Sequence, residues 1–251
     1  MREYFFPRGC DGDPVKTFVG VSGFSYASWK GTFYPKETKS EEFLAIYSKR
    51  LSSVEINSSF YAPPSSAMVK NWASKTEADF RFSFKAPRLI THNLKLGKGA
   101  PEASEKLSKT LDQLDARRGP ILFQLPPFSK SNLDLLGEFL TKTSEISPRV
   151  FEFRHESWLN NSTYSLLEQN GAGFCIAETE DMKPVFKVTG GLAYFRLRKD
   201  SYDKEAIHEW TEKIRKSADG SEECYVYLRH DETGENAIHA ERLAEELTEA
   251  S

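Results

Sequence analysis

Eight short runs rich in β-branched and aromatic residues recur along this chain: TFVGVS (17–22), SVEINS (53–58), RFSFKA (81–86), PILFQL (120–125), RVFEFR (149–154), GFCIAE (173–178), AYFRLR (193–198) and CYVYLR (224–229). Amphipathic segments separate most of them. Neighbouring parallel strands need a long crossover, usually a helix, so a strand–crossover pattern repeated eight times predicts a parallel sheet. Eight such units in 251 residues match the usual size of an α/β, TIM-barrel-like (β/α)8 fold. A hydrophobic content of 39% supplies one core, so 1–251 reads as a single barrel domain with residues 1–16 as an N-terminal extension.

The crossovers carry their own signals. Phe43, Tyr47 and Leu51 fall at helical spacing after Ser40, with Glu41 and Glu42 in the first turn and Lys49 and Arg50 in the last, matching the helix dipole. Apolar stripes of the same period lie at Val69 and Trp72, at Leu107 and Leu111, at Leu136 and Leu140, at Ile207, Trp210 and Ile214, and at Leu243 and Leu247. The stretch 179–192 has Pro184 and Gly190-Gly191 and no helical period, which predicts an irregular sixth crossover. Pro126-Pro127 ends the fourth strand and is a place for a cis peptide.

Side chains alternate across a strand, so each run divides into two phases. One phase is apolar, with Val19, Val21, Val54, Ile56, Phe82, Phe84, Phe123, Phe151, Cys175, Ala177, Phe195 and Val226, and should meet the helices. The other holds Ser22, Glu55, Asn57, Ser83, Lys85, Gln124, Glu152, Arg154, Glu178, Tyr194, Arg196, Arg198, Tyr227 and Arg229, and should line the axis. Most of its charges come late in their strands and converge on the carboxyl-terminal mouth, where barrel enzymes carry their sites. Glu55, Glu152 and Glu178 face Lys85, Arg154, Arg196, Arg198 and Arg229, a cationic surplus suited to a phosphate or carboxylate.

Within this lining Glu55 and Glu152 are the acid–base candidates, because two carboxylates near cations can be driven to different proton affinities; the plainer reading is that each anchors an arginine. His155, just beyond the fifth strand, is a further proton-transfer candidate or else a helix cap. Lys85 suits anion binding or, if desolvated, a Schiff base; an ion pair with Glu55 on the adjacent strand is the structural alternative. The loop after the first strand carries Phe24, Tyr26, Trp29, Phe33 and Tyr34, a lid or stacking platform if exposed and a packed cap if not.

The segments GVSGFSYASWKGTFYP (20–35), VEINSSFY (54–61), FSFKAPRLITH (82–92), GPILFQLPP (119–127) and VFEFRHESW (150–158), in this order, resemble the YecE-like family, domain of unknown function 72. The resemblance implies a TIM-barrel-like fold and no named activity. It marks Ser22, Tyr26, Trp29, Glu55, Asn57, Tyr61, Lys85, Arg88, His92, Gln124, Glu152, Arg154, His155 and Trp158. The last third departs: where the family tends to show Arg-Leu-His-Gly this chain has Arg196-Leu197-Arg198-Lys199, and the usual asparagine pair is replaced by Arg229-His230.

A net charge of −3 gives no global signature of a nucleic-acid or membrane-surface binder, so any anion site is local. No stretch approaches the roughly 20 apolar residues of a membrane span, and the opening segment has too short an apolar run for a secretory leader, so a cytoplasmic protein is expected. Cys10, Cys175 and Cys224 lack metal-site spacing and read as packing residues. Glu55, Glu152, Glu178, His155 and Asp231 could hold a divalent ion, but their cationic neighbours argue against it. No phosphate-binding glycine loop marks a nucleotide cofactor, and the cofactor is unknown. The leading expectation is an enzyme acting on an anionic substrate; a non-catalytic module for nucleic acid or a phosphorylated ligand and a metal-dependent phosphodiesterase are the alternatives.

Overall fold

The computed structural model describes residues 5–6, 15–179 and 182–248; Cys10 and most of the N-terminal extension lie outside them. A two-residue strand, β1 (Phe5–Phe6), pairs antiparallel with the start of β2 (Val15–Ser22). Then follow β3 (Ser53–Ile56), β4 (Arg81–Lys85), β5 (Arg118–Gln124), β6 (Arg149–Glu152), β7 (Gly173–Glu178), β8 (Leu192–Leu197) and β9 (Glu223–Leu228). Each pairs in parallel with the next, and β9 pairs in parallel with β2, which closes the eight strands into a barrel.

Helices α1 (Phe43–Arg50), α2 (Ser66–Ser74), α3 (Ala100–Leu111), α4 (Leu133–Lys142), α5 (Asn161–Gln169), α6 (Lys204–Ala218) and α7 (Glu235–Thr248) surround it. Side-chain caps start several of them: Ser65 accepts from the Met68 amide at 3.2 Å, Asn132 from Leu135 at 3.0 Å and Asp203 from Ala206 at 2.8 Å. Between β7 and β8 the described residues form no helix, as the proline and glycine pair imply. Among the described residues no helix is long and apolar enough to cross a membrane. The cis peptide found here precedes Pro148, not either residue of the Pro126-Pro127 pair.

The apolar phase packs outward. Phe82 stacks on Trp72 of α2 at 5.9 Å, and Phe123 meets Phe139 of α4 edge-on at 5.3 Å. Inside the barrel a second cluster, Phe18, Leu122, Val150, Cys175, Leu192, Tyr194, Tyr225 and Tyr227, fills the lower and middle layers. Phe18 stacks on Tyr225 at 4.9 Å, and Arg81 covers Phe18 with its guanidinium at 4.8 Å, so the amino end is plugged. The charges that remain can gather only at the other end.

One strand runs in the opposite phase from that expected. Cys175 lies opposite Tyr194 and Ala177 opposite Arg196, and directly paired residues share a face. Cys175 therefore faces the axis, while Phe174 faces out against Tyr164 of α5 at 5.2 Å. Cys175 and Cys224 are both buried free thiols.

Gly20 sits where β2 and β3 run closest, paired with Ser53. A Cβ there would lie 1.9 Å from the Ser53 carbonyl oxygen. Gly20→Ala should force the two strands apart and cost about 1–3 kcal/mol, read as a lower urea midpoint. An unchanged midpoint would show that the strands separate freely.

Candidate functional site

At the carboxyl end of the barrel one arginine joins two glutamates. Arg196, on β8, donates from Nη2 to Glu55 Oε1 at 2.8 Å and from Nη1 to Glu152 Oε2 at 2.5 Å. Strand alternation delivers all three to the axis. Glu55 also accepts from Ser22 Oγ at 3.1 Å and from Tyr194 Oη at 2.8 Å. Glu152 accepts from Gln124 Nε2 at 2.7 Å and from Arg154 Nε at 2.8 Å. The side chains of Arg196, Glu55 and Glu152 are 2%, 0% and 1% exposed. Burial of this depth demands that both carboxylates be well supplied with donors, because an unpaired charge in the interior costs several kcal/mol; among the described residues Arg196 Nε, also buried, has no acceptor.

The network sets the proton affinities. Burial pushes the Glu55 carboxyl up, but Arg196 and Arg198, with hydrogen bonds from Arg196 and Tyr194, outweigh it and hold the group below its ordinary value. For Glu152 burial is likewise outweighed by Arg196 and Arg154, and the carboxyl is held well below the carboxylate range. Burial alone would lower Arg196, yet the two glutamates keep it firmly protonated. Two carboxylates so tightly held in the ionised form are poor proton acceptors near neutral pH. Their geometry favours the arginine-anchoring role over acid–base work.

Above this layer the cations are less satisfied. Arg198 donates from Nη1 to Ser22 Oγ at 2.6 Å and has no carboxylate within ion-pair distance among the described residues. Burial, then Arg196, bring its pKa down to about 10. Lys85, the last residue of β4, does not pair with Glu55, whose oxygens are taken by Arg196, Ser22 and Tyr194. Its ammonium lies over the Phe60 ring at 4.1 Å instead. Burial and Arg196 lower Lys85 to about 8 against the pull of Glu152 and Glu55.

His92, on the loop after β4, meets the same Phe60 ring edge-on at 5.0 Å and bonds Thr91 Oγ1 through Nδ1 at 2.9 Å. Burial, then Lys85, Arg88 and Arg154, lower its pKa, so it is neutral at pH 7. Arg88 is exposed on the same loop, and Asn57, after β3, has a buried Oδ1 with no donor among the described residues. Tyr26 borders Arg198, donates to the Ser22 carbonyl at 3.0 Å and stacks on His230 at 4.9 Å.

Other expected members of the site go elsewhere. Glu178 accepts from Tyr202 Oη at 2.6 Å and pairs with Lys199 at 3.1 Å, because the register of β7 turns it away from the axis. Arg229 is exposed and pairs with Asp200. One acid and one base leave together, so the mouth keeps its surplus: Lys85, Arg154, Arg196 and Arg198 against Glu55 and Glu152. Trp29 is fully buried, its indole nitrogen donating to the Asp231 carbonyl at 2.9 Å, and Trp158 is buried against Phe153 at 4.5 Å. Neither indole is available to stack on a ligand. His155 Nδ1 accepts from the Ser157 amide at 3.1 Å and caps the 3-10 turn Glu156–Trp158.

The divalent-ion set is dispersed too. Glu55 and Glu152 hold arginines, Glu178 lies outside, and Asp231 accepts the Gly234 and Asn236 amides at the start of α7. Among the described residues no group of three or more His, Cys, Asp or Glu is placed to hold a metal ion. Phe60 is the contact that sequence reading missed. It stands in VEINSSFY beside the marked residues, but nothing in the spacing tells which of two adjacent aromatics turns inward: Tyr61 is 84% exposed.

A family model described as "Protein of unknown function DUF72" matches residues 18–251. The chain is 21% identical to the UPF0759 protein YunF of Bacillus subtilis, over 92% of this chain and 94% of that one. Among solved structures, a DUF72 family protein from Thermotoga maritima superposes with a TM-score of 0.82 at 30% identity, covering 93% of this chain and 99% of the other. A second, from Enterococcus faecalis, gives 0.73 at 16% identity, covering 94% and 98%. A closed eight-stranded barrel with this motif order, matched by the family model over nearly its whole length, places the chain in the DUF72 family.

Proposed function

We propose that the barrel mouth binds the phosphate or carboxylate of an organic anion and that the protein is an enzyme working on that anion by proton transfer. The observation that carries this reading is Arg198, a desolvated guanidinium held by a neutral hydroxyl, with no carboxylate in ion-pair distance among the described residues. Arg154 acts on both Arg198 and Lys85, and Arg196 is fixed between Glu55 and Glu152 as a rigid floor. Preorganised cations of this kind bind anions without first having to be ordered. Lys85, lowered to about 8, and His92, against the same Phe60 ring, are the groups we assign to proton transfer in place of the arginine-held glutamates and of His155, which caps a 3-10 turn.

Calorimetric titration with inorganic phosphate and a panel of phosphorylated and carboxylated metabolites tests the reading. A charge-assisted hydrogen bond contributes about 1.5–3 kcal/mol, so Arg198→Gln should weaken binding by roughly tenfold to a hundredfold. Binding that is unaltered in that variant would remove Arg198 from the site. Turnover of any ligand so found decides the enzymatic half of the proposal.

A second reading, a binding module for single-stranded nucleic acid, is favoured by Tyr61 and Phe128, 84% and 67% exposed on the loops after β3 and β5. Bases stack on such rings while cations track the phosphates. Salt-sensitive oligonucleotide binding that exceeds the affinity for small anions, with no product formed, would replace the first reading by this one.

A further inference from the structure

We infer that Lys85 is a nucleophilic amine that forms a Schiff base with an aldehyde or 2-oxo acid carrying a phosphate or carboxylate group. The inference rests on the anion site proposed above and adds the reactive half of the substrate. Three features of the fold carry it. Lys85 ends β4 at the mouth, so its Nζ is delivered to the place where a ligand would lie. No carboxylate lies within ion-pair distance of it and no hydrogen bond holds it among the described residues, because Arg196 has taken both buried glutamates. A structural lysine at a barrel mouth would be paired; this one rests on the face of Phe60, which shields it from water and offers no proton acceptor.

The charged groups around Lys85 come from several elements. Arg196 on β8, Arg154 after β6 and His92 on the loop after β4 face it, and Glu152 on β6 and Glu55 on β3 oppose them from below. With a pKa of about 8, Lys85 has on the order of a hundredfold more neutral amine at pH 7 than an ordinary lysine. Desolvation beside other cations is the established physical route to a reactive amine.

The chemistry closes on residues already placed. The neutral amine adds to the carbonyl carbon, forming the carbon–nitrogen bond and leaving an alkoxide. His92, against the same Phe60 ring, takes a proton from the nitrogen and returns it to that oxygen to give the carbinolamine. A second proton, drawn from solvent, lets the hydroxyl depart as water. Amine, carbonyl compound and one proton thus become iminium and water. Arg198, bonded through one nitrogen to the Ser22 hydroxyl, and Arg154, which meets Glu152 through Nε, have further N–H groups to hold the anionic group of the same molecule.

Pyridoxal 5′-phosphate is a suitable probe, since it is an aldehyde with a phosphate, and pyridoxal is its phosphate-free counterpart. The protein is incubated with each, reduced with borohydride and mapped by peptide mass spectrometry. Lys85 should be labelled at least about tenfold faster than any exposed lysine, with a rate that rises with pH through about 8, and Lys85→Arg should lose that label while keeping the circular dichroism spectrum of the folded protein. Preference for the phosphorylated probe supports both proposals. Equal labelling of Lys85 by the two probes keeps the Schiff base and overturns the anion site. Labelling of Lys85 no faster than that of surface lysines overturns the Schiff base; calorimetric phosphate binding that still depends on Arg198 then leaves the anion site standing.

Discussion

Replacing Arg196 by methionine is expected to lower the stability of the protein by about 3–5 kcal/mol, the largest loss foreseen for any single side chain here. Methionine fills a comparable volume, so the effect comes from charge and not from a cavity. The variant leaves Glu55 and Glu152, both almost inaccessible to solvent, without the cation that each is hydrogen-bonded to. Ser22 and Tyr194 can still donate to Glu55, and Gln124 and the partly exposed Arg154 to Glu152, but Glu55 then keeps only neutral donors, which cannot offset a buried negative charge. Urea unfolding followed by circular dichroism measures the loss as a drop in midpoint at constant slope. If the single variant does not fold, the triple variant Arg196→Met, Glu55→Gln, Glu152→Gln decides the matter. Removing all three charges should restore most of the stability, because the penalty belongs to uncompensated charge. A triple variant no better than the single one would show that Arg196 contributes through packing alone.

The same triad predicts a steep loss of stability in acid. Glu55 and Glu152 titrate in the folded protein below the 4.5 of an ordinary glutamate. Above pH 4.5 both are ionised whether the chain is folded or not, and their stabilisation is complete. Below it the unfolded chain takes up protons that the folded one refuses, so stability falls with pH until the folded carboxyls are themselves protonated. Each such proton contributes at most about 1.4 kcal/mol per pH unit, so the pair gives a slope approaching 2.7. Urea midpoints measured between pH 5 and pH 3 should show it, and Glu152→Gln should remove about half of the slope. A flat profile there would mean that the two carboxyls titrate normally. Lys85 gives a slope of the same direction in another window: its folded pKa is lowered, so its charged form penalises the fold below about pH 8, and the penalty fades as pH rises toward 10.5.

The barrel itself was readable from local pattern. Runs such as RFSFKA and CYVYLR alternate so strictly that the side chains pointing toward helices and toward the axis separate without any structure. This is a property of the pleat, and it correctly placed Glu55, Lys85, Gln124, Glu152 and Arg196 on the inner wall. The approach failed in GFCIAE, where both phases are apolar until the last residue: Gly173, Cys175 and Ala177 in one, Phe174 and Ile176 in the other. There Glu178 was the only polar guide, and it misled: pairing of Cys175 with Tyr194 decides the phase, and pairing is a relation between strands. β1 escaped notice for a related reason, since two residues carry no period. The aromatic loop after β2 was equally ambiguous, because Trp29 as platform and Trp29 as plug have the same sequence.

The sequence by itself determined the order of the eight strands that close the barrel, the inner and outer faces of most of them, and the presence of more basic than acidic groups at one end. Those follow from periodicity and composition, which act over a few residues. Only the tertiary structure decided who pairs with whom. Arg196 meets Glu55 across 141 positions and Glu152 across 44, and that double engagement leaves Lys85 and Arg198, among the described residues, with no carboxylate in ion-pair distance. Closure of the sheet brings β3, β6 and β8 to one axis, and in the low-dielectric interior the bidentate guanidinium claims both carboxylates. The cations left over, not the glutamates, are the groups on which the proposed anion site rests.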